Sequence, residues 1–490
     1  MEIPLDGNLP EVPKSKSFRV LWFVELWERF GYYGVQAILA LYFVQQLGYN
    51  QTQSFYVFGS FSAFVYGFAW IGGRVGDDYL GAKRTLVLGA TILAFSYLGL
   101  ALSNKQTVFY ALAGIVVGNA LFKANPSSLI SKLYGKGNVA LDSAMTWYYM
   151  AVNIGSMISM AMTPIVAQNY GWPLAFGICA IGLFLGVANY GIYRGRLAHI
   201  ATSAGKQPFS IKRFLIVLSG GFVSFIIIAH LLKHTTVCNW IIYLVVAGAF
   251  FYFLKESRAL SSTERKRMLV ALVLIMQAVL FFVLYNQMAT SLTFFALHNI
   301  NNHVFGLTVP AAEYQVLNSV VIVLMSPLLA KLYIHWPATH ITKFCIGMSL
   351  CASAFLVLAL PQFTASNGLA SPWWMVLTYY LQSTGELLVS ALGLAMVAEL
   401  CPEYMSGFVM GVWFLTSMLA GPIGAWVGAL TVPNNTLQQL TPVASMSLYS
   451  HVFTEIGLVT GLIAILMWLL RPLLNKAIVP VHLLSHEEGK

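Results

Sequence analysis

Long apolar segments alternate with short polar ones along almost the whole chain. A helix of about 20 apolar residues crosses a bilayer, and segments of about that length or longer recur fourteen times between clusters of glycine, proline and charged residues. This pattern predicts an all-α integral membrane protein with fourteen transmembrane helices. The expected spans are residues 18–47, 51–78, 82–103, 106–134, 140–168, 172–197, 211–232, 237–257, 266–297, 312–334, 341–361, 372–401, 405–431 and 449–471.

Composition supports the membrane class. Of the 490 residues 58% are hydrophobic and 9% are charged, and the mean hydropathy is +0.74, whereas a soluble domain carries roughly 25% charged residues. The cysteines lie singly within apolar segments, without the spacing of metal ligands, so we expect small core residues rather than disulfides or a metal site. They are Cys179, Cys238, Cys345, Cys351 and Cys401.

The fourteen spans divide into six, two and six. The middle pair is flanked by basic stretches and holds no charge at membrane depth, which favours a lipid-facing insertion away from any site. The predicted domains are a cytoplasmic N-terminus (1–17), an N-terminal six-helix bundle (18–197), an inserted pair (211–257), a C-terminal six-helix bundle (264–471) and a cytoplasmic tail (472–490).

The loop charges predict the orientation. With the N-terminus inside, the inner loops and termini hold 23 lysine and arginine residues and the outer loops hold two, Lys105 and Lys233. Cytoplasmic loops of membrane proteins carry such an excess, so both termini are expected in the cytoplasm. The asymmetry accounts for the net charge of +10 without a nucleic-acid partner.

The first span carries three charges near its middle. Glu25 and Glu28 lie three residues apart, and Arg29 lies four residues after Glu25, so all three share one helix face. An unpaired charge at that depth costs roughly 2.5–3.5 kcal/mol. One interpretation is a structural ion pair that locks helices together, and the favoured one is a polar site in a transport pathway.

Few other polar residues lie deep in the predicted spans. Lys123 is a second buried cation, unless it reaches the interface by extending its stem. Asn153 and Asn318 are amides that either join helices or contact a ligand. Glu386 is a lone carboxylate in an apolar segment, without a nearby basic residue in sequence, and a functional role is favoured for it.

The loop at residues 72–84 contains glycines, Asp77 and a basic pair. It resembles the loop between the second and third helices of the major facilitator superfamily, where acid and base hold helix ends together in one conformation. Combined with six plus six helices, the resemblance predicts the major facilitator fold, with two bundles that rock around a central site.

Two motifs resemble signatures of the proton-coupled oligopeptide transporter family. One is Glu25-x-x-Glu28-Arg29-Phe30-x-Tyr32-Tyr33-Gly34, and the other is Phe122-Lys123-Ala124-Asn125-Pro126-Ser127. The inserted pair is similar to that of bacterial members, and the resemblance extends over residues 18–471. It implies import of di- and tripeptides across the bacterial cytoplasmic membrane, driven by protons. No cofactor besides the coupling proton and no oligomer is expected.

The resemblance also implies roles for individual residues. Proton coupling and the peptide carboxylate are assigned to Glu25, Glu28, Arg29 and Lys123. The peptide ammonium is assigned to Glu386, with Asn153 and Asn318 nearby. The remaining residues expected to contact the peptide are Tyr32, Tyr33, Gln36, Tyr66, Phe282, Asn286 and Trp413.

The chemistry of a peptide favours the same assignments. A short peptide is a zwitterion with variable side chains, so a permissive binder should hold its two ends by charge. Arg29 and Lys123 supply positive charge in the first half of the chain and Glu386 supplies negative charge in the second. Protonating a carboxylate beside Arg29 would weaken its hold on the basic residues and release them for the peptide.

The sequence departs from the family at Gln36 and Asn286, where many members carry an arginine and an acid. We hypothesise that an amide contact between these two residues replaces an ion pair; independent drift of unconnected positions is the alternative. Competing functions are a major facilitator drug exporter and a peptide receptor that does not transport. An enzyme is not expected, because no nucleophile motif or His/carboxylate cluster lies at membrane depth.

Overall fold

The structure is a computed structural model that describes residues 14–135, 139–335, 338–390, 392–433 and 440–478. Each predicted span coincides with one helix or with two consecutive helices, so the all-α prediction is confirmed for the spans. Between two of the spans, the short strands β1 (His303–Val304) and β2 (Leu307–Thr308) pair antiparallel. The helices are α1 (Lys14–Gln45), α2 (Gln51–Gly67), α3 (Ala69–Arg74), α4 (Ala82–Ala101), α5 (Val108–Phe122), α6 (Asn125–Tyr134), α7 (Val139–Tyr170), α8 (Trp172–Tyr193), α9 (Ile211–Lys233), α10 (Thr235–Arg258), α11 (Ser262–Asn286), α12 (Ser291–Asn299), α13 (Val316–His335), α14 (His340–Val357), α15 (Pro361–Thr364), α16 (Trp373–Val389), α17 (Gly393–Leu400), α18 (Ser406–Ala429) and α19 (Pro442–Ile478).

Among the described residues, twelve helical segments are long and apolar enough to cross a membrane. The helix α1 is not one of them, since Glu25, Glu28 and Arg29 lie within it. The predicted span 372–401 is not one either, since it is divided into α16 and α17. These two exceptions contain the carboxylates to which the sequence assigns a function.

A helix break places Lys123 within its span. The helix α5 ends at Phe122, and Lys123 follows as its C-cap. The next helix, α6, has Pro126 in its first turn, where the missing N–H leaves no hydrogen bond unmade. Lys123 therefore lies at the junction of two helices and not in a continuous one.

Contacts within the chain define two compact units. Unit 1 contains residues up to Tyr33, Phe68–Ser159 and Pro173–Ile227; unit 2 contains Gly34–Gly67, Met160–Trp172 and the chain from Ile228. The helices α1 and α7 each contribute residues to both units. The predicted boundaries of the bundles and the inserted pair stay a prediction.

In unit 1, the charged loop between α3 and α4 is bonded to the segment that follows α8. The Thr202 hydroxyl donates to the Gly76 carbonyl at 2.8 Å and accepts from the Ala82 N–H at 3.2 Å. The Lys83 ammonium donates to the Leu197 carbonyl at 2.9 Å. The loop that resembles the major facilitator motif is thus held from outside its own sequence.

The inserted pair, α9 and α10, exposes most of its apolar surface. Only 17% of the most apolar part of α9 and 28% of that of α10 are buried. The basic residues of α9 lie at its ends, as do those of α10. Exposed apolar side chains without central charge suit contact with lipid tails.

In unit 2, α2 and α18 cross at two glycines. A Cβ atom on Gly59 would overlap the carbonyl oxygen of Gly421, and a Cβ atom on Gly421 would overlap that of Gly59. Small residues let the backbones of membrane helices approach closely. The distance between α2 and α18 therefore depends on this glycine pair.

We expect Gly59→Ala to lower the thermal stability of the purified protein in detergent. The added methyl group meets backbone, and overpacking of this kind costs on the order of 1–3 kcal/mol. Gly177→Ala in α8 is the matched control, because its Cβ would meet nothing within 4 Å. Equal unfolding temperatures for the two variants would show that the crossing tolerates a side chain.

Candidate functional site

Three charged side chains on α1 form a buried cluster in unit 1. Arg29 Nε lies 2.8 Å from Glu25 Oε1 and 2.8 Å from Glu28 Oε2. All three are buried, with exposed fractions of 5%, 1% and 0% for Arg29, Glu25 and Glu28. The spacing predicted that these side chains share a face, and the structure brings them together. We call these residues the α1 charge cluster.

The helix α5 and its C-cap add two residues to this cluster. Asn119 Nδ2 donates to Glu28 Oε1 at 3.0 Å, and the Asn119 side chain is fully buried. Lys123, one turn further along, interacts electrostatically with Glu25, Glu28 and Arg29. The structure therefore places Lys123 with the cluster, as the sequence suggested. It also adds Asn119, to which the sequence reasoning gave no role.

Glycine lets the neighbouring helix reach the cluster. On α7, a Cβ atom at Gly155 would lie 2.5 Å from the Leu26 carbonyl oxygen and 3.1 Å from Arg29 Cβ. Any larger residue at this position would push α7 away from α1. Close packing on this side leaves little room for water beside the Arg29 stem.

The other candidates in unit 1 lie near the cluster in sequence. Tyr32 and Tyr33 contact each other edge to face, with ring centroids 5.4 Å apart. Asn153 donates to the Tyr149 carbonyl in its own helix at 2.9 Å. Its amide is therefore bonded to backbone in this structure.

In unit 2, Glu386 accepts a hydrogen bond from a neutral donor, Asn318. Asn318 Nδ2 lies 2.7 Å from Glu386 Oε2 and 2.9 Å from Ser383 Oγ. The structure thus brings Asn318 to Glu386, as expected, and adds Ser383, which the sequence reasoning did not single out. Asn153, also expected near Glu386, belongs to unit 1.

Two aromatic candidates in unit 2 lie together. The rings of Phe282 and Trp413 have centroids 6.5 Å apart in an edge-to-face arrangement. Trp413 is 5% exposed, and a Cβ atom at Gly393 would overlap its indole ring. Tyr66, on α2, is half-buried. Gly393, at the start of α17, therefore leaves the space that the Trp413 indole ring occupies.

The expected amide contact between Gln36 and Asn286 is not made in this structure. Asn286 Nδ2 donates to the Ala420 carbonyl on α18 at 3.1 Å, and no hydrogen bond within the described ranges joins it to Gln36. A Cβ atom on Gly424 would lie 2.9 Å from Asn286 Cβ. The close approach of α18 explains why Asn286 bonds there instead.

Comparison with known proteins identifies the family. A family model described as the POT family matches residues 83–443. The chain belongs to the POT family. Dipeptide and tripeptide permease B of Photorhabdus asymbiotica is 43% identical over 97% of this chain and 98% of that protein. Dipeptide and tripeptide permease A of Pectobacterium carotovorum is 46% identical, over 94% and 92%.

Solved structures of POT family members have the same fold. The crystal structure of tetrameric PepTSo2 matches with a TM-score of 0.85 and 34% identity, over 95% of this chain and all of that one. A bacterial homologue of the human drug peptide transporters PepT1 and PepT2 matches with a TM-score of 0.84 and 35% identity, over 95% and 99%. The predicted major facilitator fold and family resemblance are confirmed, and the chain is a multi-pass membrane protein.

We expect Arg29→Met to destabilise this POT family member strongly. Removing one partner of a buried ion pair costs about 3–5 kcal/mol, and here two carboxylates lose their counter-charge. The unfolding temperature in detergent should therefore fall well below that of the parent.

Arg74→Met is the matched control, since Arg74 Nε lies 3.5 Å from Asp78 Oδ2 with both side chains more than half exposed. Exposed pairs contribute about 0–1 kcal/mol. A loss of equal size in the two variants would mean that the α1 charge cluster does not stabilise the fold.

Proposed function

We propose that this POT family member is a proton-coupled symporter that imports di- and tripeptides by alternating access. The observation that carries the proposal is the buried α1 charge cluster, in which one arginine is shared by two carboxylates. A fully ionised cluster satisfies Arg29 internally. When one of the two carboxylates takes up a proton, it loses its negative charge. The pairing of Arg29 therefore depends on whether a proton is bound.

The peptide carboxylate is assigned to the basic end of the site. Arg29 is bonded to Glu25 and Glu28 in this structure. When one of the two carboxylates is protonated, its attraction for Arg29 falls, and Arg29 and Lys123 become available to a peptide carboxylate. The proton thereby favours peptide binding without touching the peptide.

The driving force is sufficient for accumulation. One proton moving through about 100 mV releases roughly 2.3 kcal/mol. Because about 1.4 kcal/mol corresponds to a tenfold ratio, one proton per peptide supports on the order of 50-fold accumulation.

The peptide ammonium is assigned to Glu386. Its carboxylate accepts from Asn318 but has no hydrogen bond or ion pair to a cation among the described residues, so one side remains for a charged ligand. The side chains expected to contact the rest of the peptide are Tyr32, Tyr33, Gln36, Tyr66, Asn153, Phe282, Asn286 and Trp413.

The setting follows from charge and composition. The lysine and arginine distribution supports a location in the bacterial cytoplasmic membrane with both termini in the cytoplasm. The coupling proton is the only cofactor that the proposal requires. We propose a monomeric transport unit for this chain, whereas the related PepTSo2 is described as tetrameric.

The decisive experiment is uptake of labelled dialanine into proteoliposomes with and without an imposed proton gradient. The proposal expects accumulation above the outside concentration only with the gradient. A drug exporter would not accumulate dialanine, and a receptor would bind it without uptake. Either result would overturn the proposal.

We expect Glu25→Gln and Glu28→Gln each to abolish gradient-driven accumulation while retaining some peptide counterflow. A carboxamide keeps the shape and hydrogen bonding of the carboxylate but cannot take a proton. Glu399→Gln is the matched control, because that side chain is 60% exposed and pairs with His340, and it should accumulate peptide normally. Full accumulation by both cluster variants would remove the cluster as the coupling site.

We expect Glu386→Ala to lower peptide affinity by more than a hundredfold. An unmatched ammonium in a desolvated site costs on the order of 3–5 kcal/mol, and each 1.4 kcal/mol is about tenfold. The parent protein should also bind N-acetylated peptides poorly. Glu455→Ala, at an exposed carboxylate beside His451, should bind as the parent does. Equal affinity of the parent for free and acetylated peptides would contradict the assignment.

A further inference from the structure

Asn119 is an uncharged donor that contacts the α1 charge cluster at Glu28. Its amide Nδ2 lies 3.0 Å from Glu28 Oε1, and the side chain is fully buried. It belongs to α5, so it holds a carboxylate of α1 from a second helix. The proposed transport chemistry above assigns it no part.

The nitrogen and the oxygen of the Asn119 amide differ in their hydrogen bonding. The Asn119 Nδ2 donates to Glu28, whereas the buried Asn119 Oδ1 has no hydrogen-bond partner among the described residues. An unpartnered buried oxygen is destabilising. This cost is removed in any state of the protein that brings a donor to the oxygen. A protonated Glu28 is such a donor, since a carboxylic acid has one O–H group.

We propose that Asn119 is a positioning residue for proton coupling, and that its amide bonds Glu28 in both protonation states. The Asn119 N–H donates to the ionised carboxylate while Arg29 is paired with it. When a proton from the gradient binds Glu28, the new O–H donates to Asn119 Oδ1 after the amide turns, and Arg29 is released. This inference rests on the proposed function, which assigns proton uptake to the cluster.

Several charged or titratable groups face Glu28, so the effect of Asn119 must be measured among them. They are Glu25 and Arg29 on α1, Tyr97 on α4, Lys123 at the end of α5 and Tyr148 on α7. None of them is altered by a substitution at Asn119. A change in the pH response of such a variant therefore reports on the lost amide.

The test is the pH profile of labelled dialanine counterflow in proteoliposomes, compared between the parent, Asn119→Leu and Asn119→Asp. Leucine removes the hydrogen bond to each form of Glu28. The bond to the ionised form is charge-assisted and is the stronger of the two, so the midpoint should move towards alkaline pH, by up to about one pH unit. Aspartate keeps the shape and adds a second carboxylate beside Glu28. Like charges oppose ionisation, so its midpoint should move at least as far in the same direction.

Asn239→Leu is the matched control, because Asn239 is a buried amide whose Oδ1 accepts from the Ser60 hydroxyl at 3.1 Å. It should keep the parent midpoint. A purely structural role for Asn119 would lower the amount of active protein and leave the midpoint unchanged, which would overturn the inference. If Asn119→Leu is not recovered from membranes, the isosteric Asn119→Asp decides by the same criterion.

The same measurements separate this inference from the proposed function. A parent protein that accumulates peptide with the gradient, alongside Asn119 variants with the parent midpoint, contradicts only the role of Asn119. A parent whose uptake ignores the proton gradient overturns the proposed function and, with it, the role of Asn119.

Discussion

The pairing of Arg29 with two carboxylates inside a membrane helix is the constraint on which much of unit 1 depends. Neither Glu25 nor Glu28 is tolerable at that depth without a partner, and one guanidinium serves both. Asn119 and Lys123 reach the same cluster from α5 and its C-cap, and Gly155 lets α7 close beside it. The charged segment of α1 is therefore stabilised by neighbouring helices rather than by lipid.

The two charged centres are built on different principles. In unit 1 Arg29 is already paired with Glu25 and Glu28. A ligand can therefore pair with Arg29 only after one of these carboxylates has lost its charge. In unit 2 the Glu386 carboxylate accepts from one neutral donor, Asn318, and Glu386 is only half-buried, so a cationic group can approach without displacing a charge. On this difference rests our proposal of proton dependence for the first centre and of direct recognition for the second.

Glycine and proline allow close backbone approach and helix breaks in both units. At the crossing of α2 and α18, two backbones pack where a side chain would not fit. The same holds at the start of α17, where Gly393 faces Trp413. The break after Phe122 sets Lys123 at a helix junction. Glycine and proline carry little hydrophobic signal, yet here they decide where the polar groups lie.

The membrane class, the fourteen helical segments and the shared helix face of Glu25, Glu28 and Arg29 could be predicted from the sequence, because hydrophobicity and helical spacing are local properties. Its two motifs also indicated the family. The three-dimensional structure was needed to show that Asn119 bonds Glu28, 91 residues away, and that Asn318 bonds Glu386, 68 residues away. It also gave Asn286 a partner on α18 instead of Gln36. Such pairings depend on how helices far apart in sequence approach one another. The residues next to a buried amide in the sequence do not indicate its hydrogen-bond partner.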